Sequence, residues 1–223
     1  MRNSQLTSGF FDQLLNRNIA FAAWFNPRDS RLGLIVGDTS DVKIYDRFDL
    51  LNGEAGFVFA PFRISEKSPV ILLRPGFWSD DFSGCEDIHL EDFVPIEKIE
   101  NQERCLPLLR EEYLQLIEKT VQDIRDGALS KVIISRQIPF ERDQTSLGQT
   151  FLQLHEKTPN AFIYLVNLPY AGVWMGATPE VLVKSDETRF ETVSLAGTQV
   201  RKYDNEEYYW STKDIEEQAF VSR

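Results

Sequence analysis

Between Phe162 and Gln199 the chain passes through three strand-like runs, Phe162 to Leu168, Val173 to Lys184 and Arg189 to Gln199, joined only by the PYAG (Pro169–Gly172) and SDET (Ser185–Thr188) turns. Parallel neighbours need a crossover of a dozen or more residues, so connections this short force antiparallel pairing. The middle run breaks at Pro179, which cannot donate to a ladder and drives Thr178 into extended backbone, a pattern that belongs at a sheet rim. The fold must therefore be built around antiparallel strands.

Helices surround this stretch. Leu109, Tyr113, Leu116, Ile117 and Ile124 fall at helical spacing, which predicts an amphipathic helix over 108–124 that stops at Asp126 and Gly127. The β-branched run from Lys131 to Phe140 reads as a strand, and Ser146 caps a helix to about Lys157 that Thr158, Pro159 and Asn160 end. A last helix is predicted from Asp204, where Asp204 and Glu207 resemble a capping box, and it carries no stop signal by Arg223. The first hundred residues read as strands with long connections: Ile19 to Phe25, Gly56 to Phe62 and Val70 to Arg74, bounded by NPRD (Asn26–Asp29) and SEKSP (Ser65–Pro69). GFVFAPF (Gly56–Phe62) reads as a buried strand rather than a ligand wall. The expectation is one domain over 1–223, with a strand-rich part over 1–107 and a part over 108–223 that carries the chemistry.

Composition narrows the function. A formal charge of -11 and a pI near 4.7, with no cluster of Lys and Arg, argue against a nucleic-acid partner. The same field repels small anions, so an anionic substrate requires a local positive group or a bound cation. Cys85 and Cys105 are isolated thiols with no metal-ribbon spacing, and they read as ordinary reduced residues. No apolar run of membrane length and no signal-peptide pattern at MRNSQLTSGFF is present, which predicts a cytoplasmic protein without a membrane partner.

Four short signatures follow in order: KVIISR (Lys131–Arg136), GATPE (Gly176–Glu180), SLAGT (Ser194–Thr198) and KDIEE (Lys213–Glu217). On a strand, Lys131 shares one side with Ile133 and Ser135. A lysine that acts as a base near neutral pH must fall from about 10.4 to roughly 7–8, and otherwise it is a solvated edge guard. Glu180 is either a presented acid or an exposed turn residue. Gly197 lets backbone and ligand approach closely, or forms a plain bulge, and Thr198 adds a hydroxyl. Asp214 and Glu217, three apart, share a helix face that suits Mg²⁺, which takes one or two carboxylates plus water and substrate oxygens. The competing readings are a solvated Lys213–Glu217 pair and burial of the face with Tyr208, Thr212, Ile215 and Ala219 instead.

In this order and spacing the four signatures resemble the chorismate-binding enzymes, which include isochorismate, salicylate, anthranilate and aminodeoxychorismate synthases. The resemblance is specific from about Gly127 to Arg223. It implies an α/β fold of α+β type, two stacked, largely antiparallel sheets flanked by helices, with Mg²⁺ as cofactor and chorismate as substrate. Position by position it implies Lys131 as the base that activates water, Glu180 as the general acid, Gly197 and Thr198 as substrate contacts, Glu217 as a Mg²⁺ ligand and Asp214 as a residue behind it. Ammonia-using members usually carry glutamine where this chain has Lys131, so the resemblance implies isochorismate formation, with salicylate and anthranilate or aminodeoxychorismate formation as alternatives. No siderophore-specific feature is visible, and menaquinone biosynthesis is the pathway expected. Gln218 departs from the histidine that relatives often carry after the metal glutamate. The family's second metal carboxylate and its carboxylate clamps lie beyond the pattern found here, so the chain is expected to be an N-terminal portion, weak or inactive alone. The non-enzymatic alternative is a fragment that self-associates, or binds a partner chain, through an incomplete core.

Overall fold

The NPRD turn returns one apolar run upon another, and this hairpin is the centre of the fold. A computed structural model of the chain describes residues 2–51, 53–97, 107–141, 145–186, 188–200, 207 and 209–222. Strand β1 (Ala20–Phe25) pairs antiparallel with β2 (Leu32–Gly37) on one side. On the other it pairs with β7 (Phe162–Leu168), which continues through the expected PYAG turn into β8 (Gly172–Thr178). β6 (Phe77–Ser79) closes the far edge, giving a five-stranded antiparallel sheet in the order β6-β2-β1-β7-β8.

Strand periodicity assigns the two faces. Phe21, Ala23 and Phe25 of β1, Leu32, Leu34 and Val36 of β2, and Ile163 and Leu165 of β7 point to one side. There they meet Phe11 and Leu14 of helix α1 (Arg2–Asn16) and Phe151 of helix α3 (Leu147–Lys157). Ala20, Ala22, Ile35, Val166 and Leu168 point to the other side and pack with Ile71 and Leu73. Those two belong to β5 (Val70–Leu73), the middle strand of a three-stranded sheet with β3 (Val42–Tyr45) and β4 (Phe57–Phe59). The five-stranded sheet is thus covered on both faces, which is why its central strands are almost continuously apolar. Buried Asn167 is satisfied, its amide donating to the Ile19 carbonyl at 2.9 Å and to Asn18 Oδ1 at 3.2 Å.

Mixed helices and antiparallel sheets are what the α+β expectation describes. Several details differ from the sequence reading. α1, β2, β3 and β6 were not anticipated, and GFVFAPF is only half-buried, with Phe62 fully exposed. Arg189–Gln199 contributes only β10 (Phe190–Glu191), which pairs with β9 (Lys184–Ser185) across the expected SDET turn. Asp186 builds that turn by accepting from the Thr188 and Arg189 amides. The last helix, α4 (Thr212–Val221), starts at Thr212 with Ser211 as its cap, not near Asp204, which lies outside the described residues.

The described residues fall into two compact units, one of residues 1–96 with 147–223 and one of residues 97–146. The second carries helix α2 (Arg110–Arg125), close to its expected span. Its stop works as the sequence implied: the Gly127 amide donates to the Ile124 carbonyl at 3.1 Å and the Ala128 amide to the Asp123 carbonyl at 2.9 Å. No helix among the described residues is long and apolar enough to cross a membrane.

His155 on α3 stacks on Phe25 with ring centroids 3.8 Å apart, and its Nδ1 is buried without a hydrogen-bond partner. Burial holds its pKa below the ordinary value, opposed by Glu156. A depressed histidine stabilises the fold fully above its unfolded pKa of about 6.5, and that contribution is lost as pH falls toward the folded value. The urea midpoint is expected to fall between pH 7.5 and pH 5.5, and His155→Gln is expected to flatten that fall; an unchanged slope in the variant would assign the pH response to other groups.

Candidate active site

Lys131 belongs to the second unit and is exposed. The expected strand over Lys131–Phe140 does not form: no ladder joins these residues among those described, Ile133 and Phe140 are 86% and 85% exposed, and only Ile134 is half-buried. A β-branched run has no strong backbone preference of its own, because strand propensity is the fit of side chains to a pleated, half-buried surface. Without a neighbouring strand, the face assignment of Lys131 with Ile133 and Ser135 has no support. The Arg136 guanidinium instead lies over the Tyr113 ring of α2, 5.2 Å from its centroid.

The remaining signatures belong to the first unit. β8 ends at Thr178, so Pro179 does break the strand at a sheet rim. The Thr178 hydroxyl accepts from the Glu180 amide at 3.2 Å, a turn that leaves the Glu180 side chain in solvent. Beyond it, the Thr192 hydroxyl donates to the Leu182 carbonyl at 2.8 Å and extends the β9–β10 hairpin past its ladder. One arm runs two residues back to Glu180, the other two residues on to Ser194. Glu180, at the end of GATPE, and Ser194, at the start of SLAGT, thereby lead into and out of one hairpin.

SLAGT in turn lies against α4. Gly197 has φ +72°, in the left-handed region. A methyl group there would stand 3.1 Å from Trp210 Cζ3 and 3.3 Å from Asp214 Oδ1. The Gln218 amide donates to both the carbonyl and the hydroxyl oxygen of Ser194, each at 3.1 Å. Gln199 reaches the Tyr209 carbonyl at 2.7 Å. These contacts settle which side of α4 turns inward: Asp214, Glu217, Gln218 and Ala219 are half-buried, whereas Thr212 and Ile215 are exposed. Of the competing face, only Ala219 is covered among the described residues.

The two carboxylates are placed differently. Asp214 closes a capping box, its Oδ2 accepting from the Ser211 hydroxyl at 2.6 Å and the Ser211 amide at 3.1 Å. These bonds hold its carboxyl below the usual carboxylate range. Glu217 pairs with Lys213 at 3.5 Å, and its side chain is 30% exposed. The Lys213–Glu217 pair of the sequence reading is present, and Glu217 is at the same time half-buried. No cluster of three or more His, Cys, Asp or Glu able to hold a metal occurs among the described residues. With Asp214 engaged in the cap, Glu217 is the half-buried carboxylate of this face that could meet Mg²⁺, an ion that takes one or two carboxylates plus water and substrate oxygens. Cys85 plays no part: burial pushes its thiol up to about 12, and Cys105 lies outside the described residues.

The model of the family described as "Chorismate binding enzyme" matches residues 89–223 and takes in all four signatures. This chain belongs to the chorismate-binding enzymes. Among curated relatives, it is 34% identical over 91 residues to isochorismate synthase EntC of Escherichia coli K12, a match covering 40% of this chain and 23% of that protein. It is 30% identical over 110 residues to anthranilate synthase component 1 of Mycolicibacterium smegmatis, covering 47% of this chain and 21% of the relative. Against anthranilate synthase component 1 of Aquifex aeolicus it is 28% identical over 98 residues, covering 44% and 19%. The chain thus spans about a fifth of the length of the curated relatives it matches. No solved structure matches it.

Within a chorismate-binding enzyme, the contacts that sequence reasoning missed are those of Gln218 and Trp210 with SLAGT. The pairing of a hydroxyl in one signature with an amide just after the other was the available signal. Gly197→Ala is expected to cost about 1–2 kcal/mol for the left-handed backbone alone, with a further loss as Trp210 shifts. Urea unfolding checks this, and a variant as stable as the parent would mean that the Gly197–Trp210 packing is not maintained.

Proposed function

We propose that the enzyme carrying this chain converts chorismate to isochorismate, with Mg²⁺ as cofactor. The observation that carries the proposal is Lys131 in the KVIISR signature, where ammonia-using members of the family usually carry glutamine. The inward face of α4 supports it, because Asp214 and Gln218 of that face meet the SLAGT arm and Glu217 is half-buried on the same helix.

In this reading Lys131, when neutral, accepts a proton from water as the water oxygen bonds to the ring carbon beside the carboxylate-bearing carbon. The ring double bonds shift, the carbon–oxygen bond to the hydroxyl across the ring breaks, and Glu180 donates the proton that lets it leave as water. One water enters and one leaves, so the reaction is a net isomerisation. Gly197 lets the backbone approach the substrate and Thr198 offers it a hydroxyl. Glu217 would hold Mg²⁺, with Asp214 fixing the start of the helix that presents it. When bound, the ion supplies charge neutralisation for the substrate carboxylates, which the net charge of -11 otherwise repels.

Turnover in H₂¹⁸O tests the nucleophile. Isochorismate carrying one ¹⁸O at the new hydroxyl is expected. The second reading, an anthranilate-type enzyme, is favoured by the two anthranilate synthase component 1 relatives. It predicts an amino product in ammonium buffer and no label from water, and that result would overturn the proposal.

A further inference from the structure

We infer that Gln218 is a positioning residue that clamps the SLAGT arm to the helix bearing Glu217. This rests on the reading above that Gly197 and Thr198 meet the substrate. The Gln218 side-chain nitrogen serves two oxygens of one residue, the Ser194 carbonyl and the Ser194 hydroxyl, both at 3.1 Å. Ser222 completes the cluster, its hydroxyl 3.1 Å from that of Ser194 and donating to the Gln218 carbonyl at 2.9 Å. These contacts join segments 24 and 28 residues apart in sequence.

Among the described residues no ladder joins 192–200, and Leu195 and Thr198 are exposed, so the arm is held by side-chain bonds: Thr192 at its start, Gln199 to the Tyr209 carbonyl at its far end, and the Ser194 cluster between them. From Ser194 the chain continues to Gly197, whose left-handed backbone carries it under Trp210 and past Asp214. The Ser194 bonds therefore set the register of the arm against α4. A slip of one residue would turn Thr198 away and bring a side chain into the space that Gly197 leaves beside Trp210. Gln218 lies next to Glu217, so one residue of the helix holds the SLAGT arm and its neighbour would hold the metal.

Gln218→Met keeps the length and volume of the side chain but removes the donor. The test measures hydrogen exchange at the amides of residues 195–198 and the Kd for chorismate, on the parent, Q218M, S194A and the double variant. Faster exchange at 195–198 in Q218M is expected, with helical circular dichroism unchanged and chorismate bound about tenfold more weakly. S194A is expected to be milder, since the backbone carbonyl remains, and the double variant no worse than Q218M, as residues acting through one bond are not additive. Unchanged exchange in Q218M overturns the clamp. Faster exchange with unchanged chorismate affinity overturns its positioning role. Neither readout depends on the product formed, so an amino product would count against the proposed reaction while leaving this test intact.

Discussion

Replacing Lys131 by alanine is expected to lower kcat for chorismate conversion by roughly 10²–10⁴-fold, the usual range for a positioned general base. KM for chorismate is expected to change little, because a base that acts on water contributes to the transition state more than to ground-state binding. Lys131 is exposed, in a segment that no ladder joins among the described residues. Lys131→Gln is the informative companion: if the side chain at this position selects the nucleophile, it should be as inactive with water as the alanine variant. Full activity in Lys131→Ala would remove the base from the account.

The second large effect concerns stability. Phe151→Ala is expected to cost about 3–5 kcal/mol, out of a total that for a domain is typically about 5–15 kcal/mol. Phe151 is fully buried and packs edge-on to Phe11 of α1 at 5.4 Å and against Phe25 of β1 at 5.3 Å. It is the point where two helices and the central strand meet, so truncation leaves a cavity that three rigid elements cannot collapse to fill. The urea midpoint should fall with little change in slope, and Phe151→Leu should lose less. A loss under about 1 kcal/mol for the alanine variant would mean that the helices do not cover this face of the sheet as described.

What the sequence disclosed follows from where the forces lie. The β7–β8 hairpin and the Asp186 turn were legible because short connections fix the pairing locally. Helix α2 was legible because its periodicity and its Gly127 stop lie within one segment. Helix α1 was not: RNSQLTSG is polar and contains Gly9, and the helix is anchored by Phe11 and Leu14 under a sheet built from distant residues. Lys131–Phe140 failed in the opposite way, since its composition suits a strand but a strand also needs neighbours. Near the candidate site, the break at Pro179 was legible, and Glu180 lies just past the end of β8. That SLAGT rests on the Asp214, Glu217 and Gln218 face of α4 depends on hydrogen bonds across 24 residues, and helical periodicity alone left two faces open.

Purified enzyme carrying this chain should be incubated with chorismate and Mg²⁺, with and without ammonium, and the products separated by chromatography and mass. Isochorismate, with the mass of chorismate, is predicted to form equally well in both conditions, and chelation of the metal is predicted to abolish it. Anthranilate or aminodeoxychorismate appearing only with ammonium, or salicylate with pyruvate, would contradict the proposed reaction.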